Sequence, residues 1–195
     1  MSIAERMGTA QDAGVGRLPV GGSRVRFPRR PKGATVDDVP SPRHPEEWVL
    51  EPTEFAKLPE RPYQELWFEL CSLRWKSLAL VPTTPGATEL DIAERLVVVG
   101  VSSTRRRLAL ISAEGAGVSD TERIIAMIRG AEERGDRAIV AVDALIDNPA
   151  AAPIVRAVNA AVLVERLGRT MRADLERSVT MTGPNRIFGV VTRPG

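Results

Sequence analysis

The sequence predicts a doubly wound α/β fold, with a mainly parallel sheet of about five strands and helices on both faces. Short continuous apolar runs recur between residues 76 and 191, as expected of strands that are buried on both faces. Segments with apolar residues at three- and four-residue spacing separate many of these runs, and that is the period of an amphipathic helix. Alternation of this kind favours parallel strands joined by right-handed crossovers.

The first predicted helix begins at Pro62 and extends to about Arg74. Proline is favoured in the first turn of a helix, because the N–H that it lacks has no partner there. Apolar and aromatic residues then recur on one face, at Tyr63, Leu66, Trp67, Leu70 and Leu73. We expect this face to pack on the sheet.

The five strands are predicted at 76–81, 108–112, 138–142, 160–164 and 187–191. The helix after the first strand is marked by an apolar stripe at Ile92, Ala93, Leu96 and Val97. A further helix ends near Arg134, before Gly135, and another begins near Met171. Strands and helices in this order are typical of βαβ units.

The stretch after the first predicted strand has the outline of a phosphate-binding loop, with Pro85 and Gly86 ahead of a helix whose dipole would favour an anion. The pattern G-x-x-x-x-G-K-[ST] needs a lysine that reaches the phosphates and a hydroxyl that holds magnesium. Thr88, Glu89 and Leu90 occupy the positions of glycine, lysine and hydroxyl residue. A carboxylate at the lysine position repels a triphosphate, so the sequence predicts a degenerate loop.

The composition excludes several classes of protein. With 195 residues, 43% of them hydrophobic, the chain is large enough for one good core. Its 27 basic and 25 acidic residues are too balanced to indicate nucleic-acid binding. One histidine and one cysteine make a zinc site or a Ser/Cys-His catalytic site improbable, so no catalytic or metal-binding residue is predicted. The sequence lacks a 20-residue apolar run and a signal-peptide core, and we expect a cytoplasmic protein.

Residues 1–60 are predicted to form a Pro/Gly-rich basic tail that is mostly disordered, followed by one phosphate-loop-like domain at 61–195. Weak contact with an anionic membrane is expected from six basic residues with no acidic residue among them, namely Arg17, Arg24, Arg26, Arg29, Arg30 and Lys32. The alternative is a solvated linker. A strap folded back on the domain is expected from Trp48, Val49, Leu50 and Phe55.

Six segments agree in order and spacing with one known family. They are YQELWFEL at 63–70, PGATELDIAERL at 85–96, ALISAEG at 109–115, IVAVD at 139–143, NAAVLVERLGRT at 159–170 and IFGVVT at 187–192. They resemble the cytoplasmic kinase domain of bacterial tyrosine kinases and related exopolysaccharide-synthesis ATPases, within the ParA/MinD-like group of phosphate-loop ATPases. The last two segments are the most specific. The resemblance implies the phosphate-loop fold over residues 63–193.

The departures from this family fall on its chemical positions. Besides Glu89 and Leu90, the second strand carries Ser112 and Glu114 where the family has aspartates, and only Asp143 of the metal-binding set remains. The resemblance therefore implies an inactive member that uses no cofactor. The structural alternative for Asp143 is a carboxylate that caps the turn at 144–148. An active ATPase using ATP and Mg stays open if another cation reaches the loop, with Arg105, Arg106, Arg107 and Arg166 as candidates.

The resemblance also implies a role in making or exporting a surface polysaccharide at the inner membrane. The expected partner is a membrane-anchored chain-length regulator or an active kinase paralogue, bound through Tyr63, Trp67, Phe68 and the loop at 83–89. The alternative for the aromatic residues is burial in the core. The ion-pair signature of family oligomers is absent, which leaves self-association open. A ParA/MinD-like positioning adaptor is the further alternative for function.

Overall fold

The computed structural model describes residues 46–50, 59–104 and 106–194. Its sheet has six strands in the order β1-β3-β4-β2-β5-β6, and only β1 runs antiparallel to its neighbour. The strands are β1 Glu46–Leu50, β2 Ser77–Pro82, β3 Leu108–Ala113, β4 Arg137–Val142, β5 Ala160–Arg166 and β6 Ile187–Arg193. The predicted α/β fold is confirmed, and the five predicted strands correspond to β2–β6.

Five helices cover the two faces of the sheet: α1 Arg61–Ser72, α2 Leu90–Thr104, α3 Thr121–Glu133, α4 Ala152–Ala157 and α5 Arg172–Thr182. Side chains of α1 and α2 share one core cluster, and those of α3 and α4 share the other, against which Leu175 of α5 packs. Among the helices in these described ranges, none has both the length and the apolar composition needed to cross a bilayer.

Strand β2 shows why the strands read as continuous apolar runs. All six of its residues are buried. Leu78 and Leu80 belong to the cluster under α1 and α2, whereas Ala79 and Val81 belong to the cluster under α3 and α4. Because successive side chains of a strand point to opposite faces, a strand covered on both sides needs apolar residues at every position.

The predicted tail contains a strand that the sequence analysis assigned only to a possible strap. Strand β1 pairs along its five residues with β3, from Glu46 opposite Ser112 to Leu50 opposite Leu108. Trp48 packs against the core, and the carboxylate of Glu47 lies 2.5 Å from Arg134. The predicted sheet of about five strands therefore gains an antiparallel edge strand. The six basic tail residues and Phe55 lie outside the described residues.

Deletion of residues 1–45 should leave the melting temperature nearly unchanged, because that segment has few large apolar residues to bury. Deletion of residues 1–58 removes β1 with its ladder to β3 and should lower the melting temperature by about 4 °C or more, since about 1 kcal/mol corresponds to a few degrees in a chain of this size. Thermal unfolding followed by circular dichroism measures both. Equal melting temperatures for the two deletions would show that β1 does not stabilise the sheet.

Two of the three aromatic residues predicted to bind a partner are instead part of the core. Trp67 is 0% exposed, and its ring meets that of Trp75 edge to face at 6.0 Å. The backbone of Gly100 leaves room for it, since a Cβ there would lie 2.5 Å from the Trp67 ring. Tyr63 is buried beneath the guanidinium of Arg95, 4.9 Å from its ring centre. Only Phe68, 61% exposed, is available for a partner.

Candidate functional site

The candidate site lies at the carboxyl end of β2, where the chain reverses its direction across the sheet. The crossover after β2 leads to β3 on one side, and the crossover after β4 leads to β5 on the other. Crevices at such switch points, outside the carboxyl ends of strands, are where open α/β sheets bind ligands. The segment predicted to be a degenerate phosphate loop, residues 83–89, occupies this position between β2 and α2; we call it the phosphate loop.

A backbone N–H of the loop binds a carboxylate of the chain itself. Gly86 adopts a φ of 68°, in the left-handed region that glycine reaches without strain. Its backbone N–H donates to Oδ2 of Asp147 at 2.6 Å. Asp147 lies on the turn after β4, and the sequence analysis did not single it out. A carboxylate of the chain itself therefore takes a backbone donor that a bound phosphate would use.

Glu89, at the lysine position, is the centre of a buried ion-pair cluster. It is 0% exposed. Its Oε2 accepts from Nη1 of Arg193 at 2.5 Å, and its Oε1 accepts from Nη2 of Arg166 at 3.4 Å. Arg193 also reaches Asp91 at 3.3 Å. We call Glu89, Arg166 and Arg193 the arginine clamp. The site thus inverts the usual arrangement, because the loop supplies the anion and the strands β5 and β6 supply the cations.

Burial is the largest cause of the pKa shifts of Glu89 and Glu94. It raises the pKa of Glu89, while the nearby charges of Arg193 and Arg166 oppose the rise. Burial also raises the pKa of Glu94 to about 7, and the negative charges of Asp91 and Glu114 add to the effect. The raised pKa values mean that burial favours the neutral form of both carboxyl groups, and that the two arginines counteract this for Glu89.

Asp143, which the family resemblance makes the last metal-binding acid, is used to hold the loops together. Its Oδ2 accepts from the backbone N–H of Gly115 at 2.7 Å and from Nδ2 of Asn148 at 3.0 Å. Residues Thr88 and Asp143 also form an isolated backbone bridge, which joins the phosphate loop to the end of β4. The carboxylate therefore ties the loop after β3 to the turn at 144–148.

The other positions where the sequence departs from the family lie on α2 and at the end of β3. Leu90 begins α2 and packs against the core, so it presents no ligand to a metal. Ser112 lies within β3, which β4 separates from β2, and Glu114 follows β3. Within the described ranges, no three His, Cys, Asp or Glu side chains come together to hold a metal ion.

Of the four arginines predicted as a replacement cation, Arg166 reaches the phosphate loop, where it forms an ion pair with Glu89. Arg107 precedes β3 at the opposite edge of the sheet, with its Nε 3.9 Å from Asp136, and Arg106 lies beside it. Arg105 is outside the described residues. Arg193 was missed, because 104 residues separate it from Glu89 and only the adjacency of β2, β5 and β6 brings the two together.

Hydroxyl groups fix the loop at 167–171 above the phosphate loop. Thr84 and Thr170 are joined through their Oγ1 atoms at 2.7 Å, and the Oγ1 of Thr83 lies 3.3 Å from that of Thr170. The loop exposes two large apolar side chains, Leu167 at 46% and Met171 at 64%. The carboxyl edge of the sheet therefore presents apolar residues beside a filled phosphate loop.

Comparison with known proteins identifies this architecture. No family model matches the sequence, and no curated protein matches it. The kinase domain of the Escherichia coli tyrosine kinase ETK aligns with a TM-score of 0.59 and 15% identity, over 68% of this chain and 74% of that one. The chain has the fold of a bacterial tyrosine kinase domain. The BceF tyrosine kinase domain aligns over 68% of this chain and 73% of its own, with a TM-score of 0.49 and 13% identity.

Proposed function

We propose that this chain is a catalytically inactive relative of the bacterial tyrosine kinases, and that it acts by binding other proteins in the assembly or export of a surface polysaccharide. The single observation that supports inactivity is the arginine clamp, with a buried glutamate where phosphoryl transfer needs a lysine. Phosphoryl transfer depends on positioning the phosphates and neutralising their charge. Here the two cations near the loop neutralise Glu89 instead.

The purified protein should show no saturable heat on titration with millimolar ATP-Mg. A nucleotide would have to displace Asp147 from the Gly86 N–H and bring its charges next to Glu89 and Asp91. Isothermal titration calorimetry measures this, with the Escherichia coli ETK kinase domain as the positive control. A dissociation constant in the micromolar range would overturn the inactive assignment and restore the alternative of an atypical ATPase.

The proposed partner is the cytoplasmic part of a membrane-anchored chain-length regulator, or an active kinase paralogue, so the chain would work at the inner face of the membrane. The binding surface proposed from the resemblance needs revision, because Tyr63 and Trp67 are buried. Leu167 and Met171, beside the phosphate loop, and Phe68 on α1 are exposed apolar side chains that could form it. Large apolar side chains near the centre of an interface commonly carry much of its binding energy.

Co-purification from the native host tests this role. The wild-type chain should recover a polysaccharide-export component, and Leu167→Ser/Met171→Ser should recover much less of it. Val118→Ser, at an exposed apolar residue on the loop after β3, is the matched control. Phe68→Ser tests the second surface separately. Recovery of a positioning or cytoskeletal protein in place of an export component would favour the adaptor alternative and overturn the proposed role.

A further inference from the structure

A cleft of about 700 Å³ opens at the amino ends of the strands, whereas the phosphate loop lies at their carboxyl ends. It lies where β2, β4 and β5 begin, between the end of α1 and the end of α3. Its lining includes Arg74 and Lys76 before β2, Arg137 at the start of β4, and Glu132 near the end of α3. The proposed function uses none of these residues.

Arg137 lies in the cleft against Trp75 and Cys71, and no carboxylate of the described residues pairs with it. Its guanidinium lies 4.7 Å from the ring centre of Trp75, and its Nη1 lies 3.7 Å from the sulfur of Cys71. The Trp75 ring is itself fixed, because its Nε1 donates to the carbonyl of Leu70 at 2.9 Å. Among the described residues no carboxylate pairs with Arg137. A half-buried guanidinium whose donors meet only a thiol is prepared to bind an oxyanion.

The other charged residues of the lining add to the positive charge of Arg137. Arg74 and Lys76 are exposed, and neither forms an ion pair with any residue in the described part of the chain. Glu132 is the one acidic residue of the lining, and its Oε1 accepts from Oγ of Ser77 at 2.5 Å. The lining therefore carries three positive charges and one negative charge, which leaves an excess of two positive charges.

We propose that this cleft binds the phosphate group of an organic phosphate monoester. A dianion matches the uncompensated charge, and a planar guanidinium suits the paired oxygens of a phosphate. The cleft volume falls within the range of small-molecule sites and exceeds what free phosphate needs, which favours a phosphate carried on a larger molecule. Arg137 covers the ring of Trp75, so the cleft offers no aromatic face on which a nucleotide base would stack.

The one cysteine of the chain lies in the cleft and supplies a reporter that is independent of any activity. The rate of Cys71 alkylation by iodoacetamide would be measured against glycerol 3-phosphate and against inorganic phosphate, with sodium chloride holding the ionic strength constant. We expect glycerol 3-phosphate to slow alkylation at least threefold in a saturable manner, and inorganic phosphate to need a higher concentration. Equal half-saturating concentrations of glycerol 3-phosphate and inorganic phosphate would show that the site does not recognise the organic part of the ligand.

Arg74→Gln/Lys76→Gln tests the charges themselves, and because both side chains are exposed the variant should fold normally. Its half-saturating concentration should rise at least tenfold. The matched control is Arg169→Gln, which removes an exposed arginine from the opposite edge of the sheet and should change that concentration less than twofold. The phosphate site would be overturned if glycerol 3-phosphate did not protect Cys71 of the wild type saturably, or if it protected the double variant and the control equally. Neither result would bear on the proposed function.

Discussion

Glu89→Lys should lower the free energy of unfolding by about 3–5 kcal/mol, which is the cost expected when one partner of a buried ion pair is lost. The new ammonium would be buried beside Arg166 and Arg193, with three cations and no central anion. The lysine that a nucleotide-binding loop requires is therefore incompatible with this interior. Urea denaturation of the wild type and the variant measures the difference.

Two further variants separate charge from shape in the arginine clamp. Glu89→Gln keeps the side-chain volume and should destabilise the chain less than Glu89→Lys, because it adds no third cation. Glu89→Lys combined with Arg193→Glu reverses the shortest pair of the clamp and should recover part of the loss. An unfolding free energy for Glu89→Lys within about 0.5 kcal/mol of wild type would mean that the loop opens readily to water.

Trp67→Ala should destabilise the chain by about 3–5 kcal/mol, the usual range for truncating a fully buried tryptophan. The substitution removes the edge-to-face contact with Trp75 and leaves a cavity over Gly100. The neighbouring Phe68→Ala is the matched control, because that ring is mostly exposed and its loss should change the free energy by about 0.5 kcal/mol or less.

Chemical denaturation of both variants decides between the two roles that the sequence left open for these aromatic residues. A stable Trp67→Ala variant would contradict the core position of Trp67. Destabilisation by Phe68→Ala as large as that by Trp67→Ala would mean that Phe68 is covered in the folded protein, which would remove it from the proposed binding surface.

The strands buried on both faces could be predicted from sequence because they contain uninterrupted apolar runs, residues 78–82 in β2 and 138–142 in β4. The helical period also predicts which aromatic residues are buried. Tyr63 and Trp67 fall on the stripe of α1 that includes Leu66, whereas Phe68 falls beside it. Strand β1 gave a weaker signal, since it is an edge strand of five residues that begins with two glutamates.

The site was less predictable, because long-range contacts determine its charge balance. The exchange of lysine for Glu89 is visible in the sequence, yet its burial depends on Arg166 and Arg193, which come from β5 and β6. Asp147 likewise meets Gly86 only because the turn after β4 lies beside the loop after β2. No local pattern marks such partners, since arginines and aspartates are common on exposed loops.

An anion on the same polypeptide, placed beside its partner by the fold, competes with any free anion whatever the cell contains. In the proposed inactive protein, the carboxylates at Gly86 and in the arginine clamp would hold the loop in one conformation, where a nucleotide-driven protein alternates between two. A molecule that binds neither of two conformations shifts no equilibrium between them. The binding surface proposed beside this loop should therefore keep its shape during starvation and growth alike. The amount of partner bound would then depend on the number of copies of the protein and not on the ratio of ATP to ADP.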